Sequence, residues 1–219
     1  AKTTGIPKGT PVFVGGHDHY LAAFACGALS PDVGLDSPGT AEAFTLGFPG
    51  KPNPSQAGSF AVGPHVLPGY AYLLGGIYSS GAAVNWLKTI LKLEHFEEIP
   101  KLASRIKPGD APLFIAEFRG AAPPFNEPNA SGCFLELSPD HHQSHLARAL
   151  YEGIAFELKM NIEALEAVTG HAIQTVRMVG GSAAGPIWAK IRAAIYGRPL
   201  EISSHDDMVT LGAALLAGL

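Results

Sequence analysis

Residues 176–203 read VRMVGGSAAGPIWAKIRAAIYGRPLEIS, and their order decides the fold class. The apolar run VRMVG enters the glycine-rich turn GGSAAGP, and the helical stretch IWAKIRAAIYG follows. A second strand, PLEIS, and a final helix from about Met208 complete the unit. Strand, turn, helix, strand and helix in that succession are the alternation of an α/β fold. The last helix runs through LGAALLAGL to Leu219 with no capping signal after it, so the expectation is a chain cut at both ends.

Upstream of this unit, Leu146, Leu150, Ile154, Leu158, Ile162 and Leu165 recur three or four residues apart. That spacing predicts a long helix over residues 139–169, with Gly170 as its C-cap. A second helix, GAAVNWLKTILKL over 81–93, carries Ala83, Leu87, Ile90 and Leu91 on one stripe, with Lys88 and Lys92 off it. Between the two helices, residues 108–128 hold the patch LFIAEF, a strand running into a long ordered loop. Residues 51–69 read as loop and irregular strand, and DSPGTAEAFTLG over 36–47 as a turn between strands. HYLAAFACGAL over 19–29 suits a close-packed helix, and PVFVGG over 11–16 a buried strand entering a tight turn.

Size and composition bound the rest. A chain of 219 residues buries roughly 70% of its unfolded surface, enough for one large domain without disulfides or structural metal. Gly and Pro supply 26 and 18 residues and 47% of the chain is hydrophobic, which suits a folded domain. Only 16% of residues are charged, against about 25% in a typical soluble domain, which points to surface covered by something outside the chain. A net charge of −4, with no run of Lys or Arg, excludes the electrostatic footprint of nucleic-acid binding. Cys26 and Cys133 have neither metal-ligand spacing nor a disulfide framework and read as buried, inert thiols of a reducing compartment. No window of about 18 apolar residues and no signal peptide is present, so a cytoplasmic protein that does not enter a membrane is expected.

Three features suit phosphate chemistry: an acid after a glycine turn, a Gly-Thr turn, and a glycine-rich strand-to-helix turn. Asp18, after Gly15 and Gly16, is placed to take a proton from a hydroxyl attacking a phosphate. Asp at a helix start is also a strong N-cap, and alone that is the commoner reading. Gly39 and Thr40 can offer backbone N–H groups and a hydroxyl to phosphate oxygens. The GGSAAGP turn is neither a P-loop nor the dinucleotide fingerprint. His17 and His19, and His141, His142 and His145, invite a metal hypothesis. Residues two apart on a helix point to different sides, however, so solvated histidines and no metal are expected.

Taken in order, the stretches GTPVFVGGHDHYLAAFACGA, SPGTAEAF, GGIYSSGAAVNWL, GCFLELSPDHHQSHLARALYEG, VGGSAAGPIWAKIRAAIYGRPLEIS and LGAALLAG resemble the C-terminal half of the FGGY carbohydrate kinases, which include xylulokinases, ribulokinases and glycerol kinases. The resemblance implies an actin-like, ribonuclease-H-like ATPase domain, a mixed sheet flanked by helices, spanning residues 1–219. It implies an enzyme in which sugar and ATP meet between two domains, and the first domain is not represented here. By the same resemblance Asp18 is the general base, Gly39 and Thr40 lie at the ATP phosphates, and Gly81 and Asn85 lie at a helix start near the nucleotide. Gly181 and Gly185 fall at adenosine-contacting positions, Gly185 where glycerol kinases carry Asn. His19 falls beside the substrate where Gln is common.

Two further departures are Glu136, where the family has Gly, and Leu150, where a smaller or branched residue is usual. ATP and Mg2+ are implied as cosubstrate and cofactor, with the magnesium-associated acid and most sugar contacts in the absent domain. A sugar or polyol is the implied substrate, and a homodimer is permitted. This half alone is expected to be inactive. The competing reading is a non-catalytic actin-like module that binds nucleotide or a partner.

Overall fold

The computed structural model describes residues 3–180, 185–205 and 207–219. In chain order the elements are α1 (Asp18–Ala25), β1 (Val33–Pro38), β2 (Glu42–Pro49), β3 (Ala61–Pro64), β4 (Tyr70–Ile77), α2 (Ser80–Ile90), α3 (Glu98–Ala103), β5 (Leu113–Ile115), β6 (Cys133–Leu135), α4 (Gln143–Thr169), β7 (Thr175–Met178), α5 (Pro186–Tyr196), β8 (Leu200–Ile202) and α6 (Met208–Ala217). Six strands form one mixed sheet in the order β3-β4-β2-β1-β7-β8. The hairpin half is antiparallel, β1 on β2, β2 on β4 and β3 on β4. β7 joins β1 in parallel and β8 joins β7 in parallel, so the strand-turn-helix unit at the C-terminal end lies against the hairpin half. β5 and β6 make a separate antiparallel pair.

Both faces of the sheet are covered, so the sheet is the middle layer of three. On one face the main core joins Phe44, Leu46 and Leu73 of the sheet to Leu87 of α2, Ile191 of α5 and a row on α4. That row is Leu150, Ile154, Leu158, Ile162 and Leu165, each fully buried, and each worth roughly 1.5–3 kcal/mol of transfer free energy. Gly170 closes α4 in the left-handed conformation at φ 69°, as expected of a C-cap. On the other face a smaller cluster joins Ala22 and Ala23 of α1 to Leu35, Val179 and Met208. Here α1 and α6 cross closely: a Cβ on Gly212 would lie 2.1 Å from the Leu21 carbonyl oxygen.

The structure departs from several expectations. Residues 11–16 are not a buried strand; no described strand lies beside them, and Val12 and Val14 are 94% and 96% exposed. A segment with no partner strand cannot form a ladder, whatever its β propensity. Ile90 is exposed, because the buried stripe of α2 runs from Ala83 and Val84 through Leu87 to Leu91 and leaves Ile90 off its line. Both thiols are half-buried rather than buried, although burial still pushes the Cys26 thiol up. The strand YAYLLGGI, β4, is not legible as one from its residue types, which are apolar or aromatic on both faces; its burial alternates from Tyr70 to Gly75, and it lies between β2 and β3 in the sheet.

One buried ionic cluster ties these layers together. Arg192 of α5 is fully buried and donates to Asp36 Oδ2 of β1 at 2.5 Å and to both carboxylate oxygens of Glu42 in β2, at 2.9 Å from Nη2. Tyr196, one turn on, donates to Asp36 Oδ2 at 3.0 Å, and Ser80 at the head of α2 donates to Glu42. Burial pushes the Asp36 carboxyl well above the ordinary carboxylate range, with Glu42 adding to the push against the pull of Arg192. Burial acts on Glu42 too, but the charge of Arg192 and hydrogen bonds from Arg192, Asp36 and Ser80 outweigh it and hold Glu42 below its ordinary value. A protonated Asp36, an ionised Glu42 and a cationic Arg192 make a neutral set, the state that a low-dielectric interior favours. A second buried acid, Glu157 of α4, accepts from the Ala116 amide at 2.5 Å. Burial and then the neighbouring Glu117 push its carboxyl up to about 8.

Removing the cation from the first cluster, as in Arg192→Met, strands two buried carboxyls and is expected to cost about 3–5 kcal/mol in urea unfolding. The second acid carries a pH signature. Because its folded value lies above its unfolded one, the stability tied to Glu157 is fully present below about pH 4.5 and is lost as the pH rises towards about 8. Unfolding curves of wild type and Glu157→Gln across that window should therefore diverge by a few kcal/mol, with the variant the flatter of the two.

Candidate functional site

The turn at residues 39–41 joins β1 to β2, and α2 begins against it. The Gly81 amide donates to the Gly39 carbonyl at 2.9 Å and the Ala82 amide to the Thr40 carbonyl at 3.0 Å. The first N–H groups of α2, orphaned in an isolated helix, are thus satisfied by the turn. The approach is close enough that a Cβ on Gly81 would stand 2.5 Å from the Gly39 oxygen, which accounts for glycine there. With its carbonyls taken up by α2, the turn presents its other edge. Among the described residues, the amides of Gly39 and Thr40 and the Thr40 hydroxyl have no hydrogen-bond partner.

That edge opens on a cleft of about 680 Å³, lined by Gly39, Thr40, Gly81 and Asn85 together with Trp86, Phe96, Arg119 and Trp188. Four of the expected nucleotide-side residues, from two separate segments, therefore share one wall. The other four side chains were missed in the sequence. Trp86 and Trp188 lie inside quoted motifs on α2 and α5, so aromatic residues beside the glycine turns were the available signal; Phe96 and Arg119 carry none. Trp188 is held from behind by Arg192, whose guanidinium sits 4.8 Å from the indole. Trp86 packs edge-on against Phe118 with ring centroids 4.8 Å apart. Arg119 is exposed and brings positive charge to the mouth.

Gly185 is the N-cap of α5, three residues before Trp188, but is not in the cleft wall. Gly181 lies outside the described residues. Its neighbour Gly180 takes φ 98°, and a Cβ there would lie 3.3 Å from the Pro38 carbonyl oxygen, so the end of β7 comes close to the same turn.

Asp18 and His19 stand outside this wall. Asp18 is not the N-cap: His17 holds that position, in extended conformation and without a capping hydrogen bond. Asp18 is the first helical residue, accepts from the His19 amide at 2.8 Å, and leaves its side chain 57% exposed. A carboxylate in the first turn is favoured by the helix dipole, so the acid is stabilised there without being used up in a cap. His19 is half-buried rather than solvated, and its Nδ1 lies 3.2 Å from the Ser37 hydroxyl. Burial lowers its imidazole below the ordinary histidine value, partly countered by Asp18 and reinforced by His17. Through Ser37, two residues before Gly39, the head of α1 is tied to the strand that carries the turn.

The remaining histidines have a structural use. His142 is the N-cap of α4, its ring accepting from the Ser144 amide at 3.4 Å, while His145 reaches back to accept from the His142 amide at 3.2 Å. The two rings thus stand in for the side chains of a capping box. Among the described residues, the cleft offers no free carboxylate to a magnesium ion, and Asp36 and Glu42 behind it are committed to Arg192. The described helices include none long and apolar enough to cross a membrane.

Residues 37–219 match the model of the FGGY family of carbohydrate kinases, C-terminal domain. A xylulose kinase of Staphylococcus epidermidis is 29% identical over 219 residues, covering 99% of this chain and 44% of that protein. A glycerol kinase of Citrifermentans bemidjiense is 30% identical over 223 residues, covering 99% of this chain and 45% of that one. The crystal structure of xylulose kinase from Rhodospirillum rubrum superposes with a TM-score of 0.83 at 30% identity, covering 98% of this chain and 43% of its own. At 21% identity, Plasmodium falciparum glycerol kinase with ADP shares the fold, with a TM-score of 0.81. The chain spans less than half the length of each of these relatives.

Proposed function

This chain belongs to the FGGY family of carbohydrate kinases and has their actin-like ATPase fold, and on that premise we propose that it is the nucleotide-binding half of an enzyme that phosphorylates a sugar or polyol from MgATP. The observation that carries the reading is the convergence of Gly39, Thr40, Gly81 and Asn85 on one cleft, with the amide edge and hydroxyl of the turn unengaged. Such an edge is a phosphate cradle, since glycine lets the backbone approach an anion and each N–H to an oxyanion is a charge-assisted bond. Arg119 adds a cation, and the exposed Trp86 ring gives a flat base something to stack on. The names of the relatives divide between xylulose and glycerol, so the acceptor is a polyhydroxylated small molecule of that kind.

In the proposed reaction Asp18 takes the proton from the acceptor hydroxyl as its oxygen attacks the γ-phosphorus, and the bond to the ADP oxygen breaks in line. His19, fixed by Ser37, orients the acceptor beside that carboxylate. Mg2+ would neutralise the phosphates when bound, but the residues of this cleft do not hold it, and its ligands belong to another part of the enzyme. We assign that part to a first domain that also carries most sugar contacts. Support comes from the relatives' length, of which this chain covers 44% and 45%.

With the complete enzyme, ADP release should be stimulated by one member of a ketose, aldose and polyol panel. Asp18→Asn should lower that turnover by about 10²- to 10⁴-fold with nucleotide affinity retained. Thr40→Ala should instead raise the KM for ATP, by the equivalent of about 1–3 kcal/mol for a hydrogen bond to a charged group. Full activity in Asp18→Asn overturns the base, and silence across the panel leaves a non-catalytic nucleotide-binding module.

A further inference from the structure

The head of α1 gathers a set of donors of which the kinase reading uses Asp18 and His19 and leaves His17 without a part. His17 Nδ1 stands 2.6 Å from Asp18 Oδ1, His19 Nε2 stands 3.7 Å from the same oxygen, and the two imidazole centroids are 4.9 Å apart. One ligand atom from each residue can be chosen so that all three lie within 4.8 Å of one another. Helical spacing alone would have separated His17 from His19. The separation does not occur because His17 is the N-cap, with ψ 144°, so its side chain is swung out of the helical series and back over the first turn.

We propose that His17, Asp18 and His19 form a binding site for a divalent transition metal of the Zn2+ class. Two imidazoles and one carboxylate are the donor set that suits Zn2+, with bonds of about 2.0–2.2 Å. Those bond lengths place neighbouring ligand atoms of a tetrahedral ion about 3.3 Å apart, so the three side chains need close by little more than about 1.5 Å from the 4.8 Å limit. His17 and Asp18 are exposed and free to make that movement. His19 needs no reorientation: Ser37 engages its Nδ1 and leaves Nε2 turned towards Asp18, the outer-shell arrangement that fixes a ligating imidazole. The negative charge of Asp18 offsets the positive end of the helix, which would otherwise oppose a cation. Three protein ligands leave the fourth position to water or to an acceptor hydroxyl. With Asp18 as the base, as in the proposed function, a metal on its carboxylate and proton abstraction by it exclude each other, and the ion is an inhibitor of the transfer.

The test reads binding and so does not depend on catalysis. Titration of the 219-residue chain with Zn2+ in a calorimeter, repeated with Co2+ for its visible spectrum, should show one equivalent bound with tetrahedral absorption. The variant His17→Asn/His19→Gln should bind at least about tenfold more weakly, a loss that removal of an outer-shell partner alone can produce. In the unmodified chain, ¹⁵N-resolved imidazole resonances of His17 and His19 should shift on the first equivalent of Zn2+ while those of His141, His142 and His145 stay in place. Absence of stoichiometric binding overturns the site, as does unchanged affinity in the double variant or a first shift at His141, His142 and His145.

Discussion

Arg192 is a fixed positive charge at zero exposure, and its position dictates much around it. A guanidinium in such a place cannot shed its proton, so carboxyls have to be brought to it from elsewhere in the chain. They come from the two strands that flank the turn at residues 39–41, and Ser80 adds the start of α2 to the same set. The turn, the helix that begins against it and the helix that carries Trp188 are therefore located by one cluster. Strand pairing sets the register of β1 on β2, but the ion cluster sets where α5 and α2 stand relative to the loop between them.

The consequence for the cleft is preorganisation. Its backbone edge is held from one side by the hydrogen bonds from Gly81 and Ala82 and from behind by Asp36 and Glu42, while its aromatic wall rests on the guanidinium itself. A ligand entering there meets groups already in place, so little ordering entropy remains to be spent on the protein side. The same cluster leaves no uncompensated negative charge behind the cleft, since burial keeps Asp36 protonated and Arg192 neutralises Glu42.

Legibility in the sequence followed the range of the interaction. The five-residue apolar row of α4 and its glycine cap are local periodicities, and the helix lies within a few residues of where they put it. β4 was not legible, because Tyr70, Tyr72 and Leu74 on its less buried face are as apolar or aromatic as Ala71 and Leu73 on the other, and its identity depends on β2 and β3 beside it. Gly39 and Thr40 as a pair are indistinguishable from any turn; only the order of several motifs pointed to them, and only folding brings Asn85 alongside. Arg192 gave no signal, being one basic residue in a helix, and its partners lie 150 and 156 positions away in sequence. Asp18 was legible as an acid at a helix start but not as an uncapped one, since a single backbone angle at His17 decides that.

The extended segment at 11–16 runs straight into α1, with His17 alone between Gly16 and Asp18. On its far side α1 is clamped to α6, where the Gly212 backbone touches the Leu21 carbonyl and leaves no room to slide. The carboxylate thus sits at the joint between a compliant tether and a rigid anchor. A displacement of that segment would therefore reach the Asp18 carboxylate before the body of the sheet.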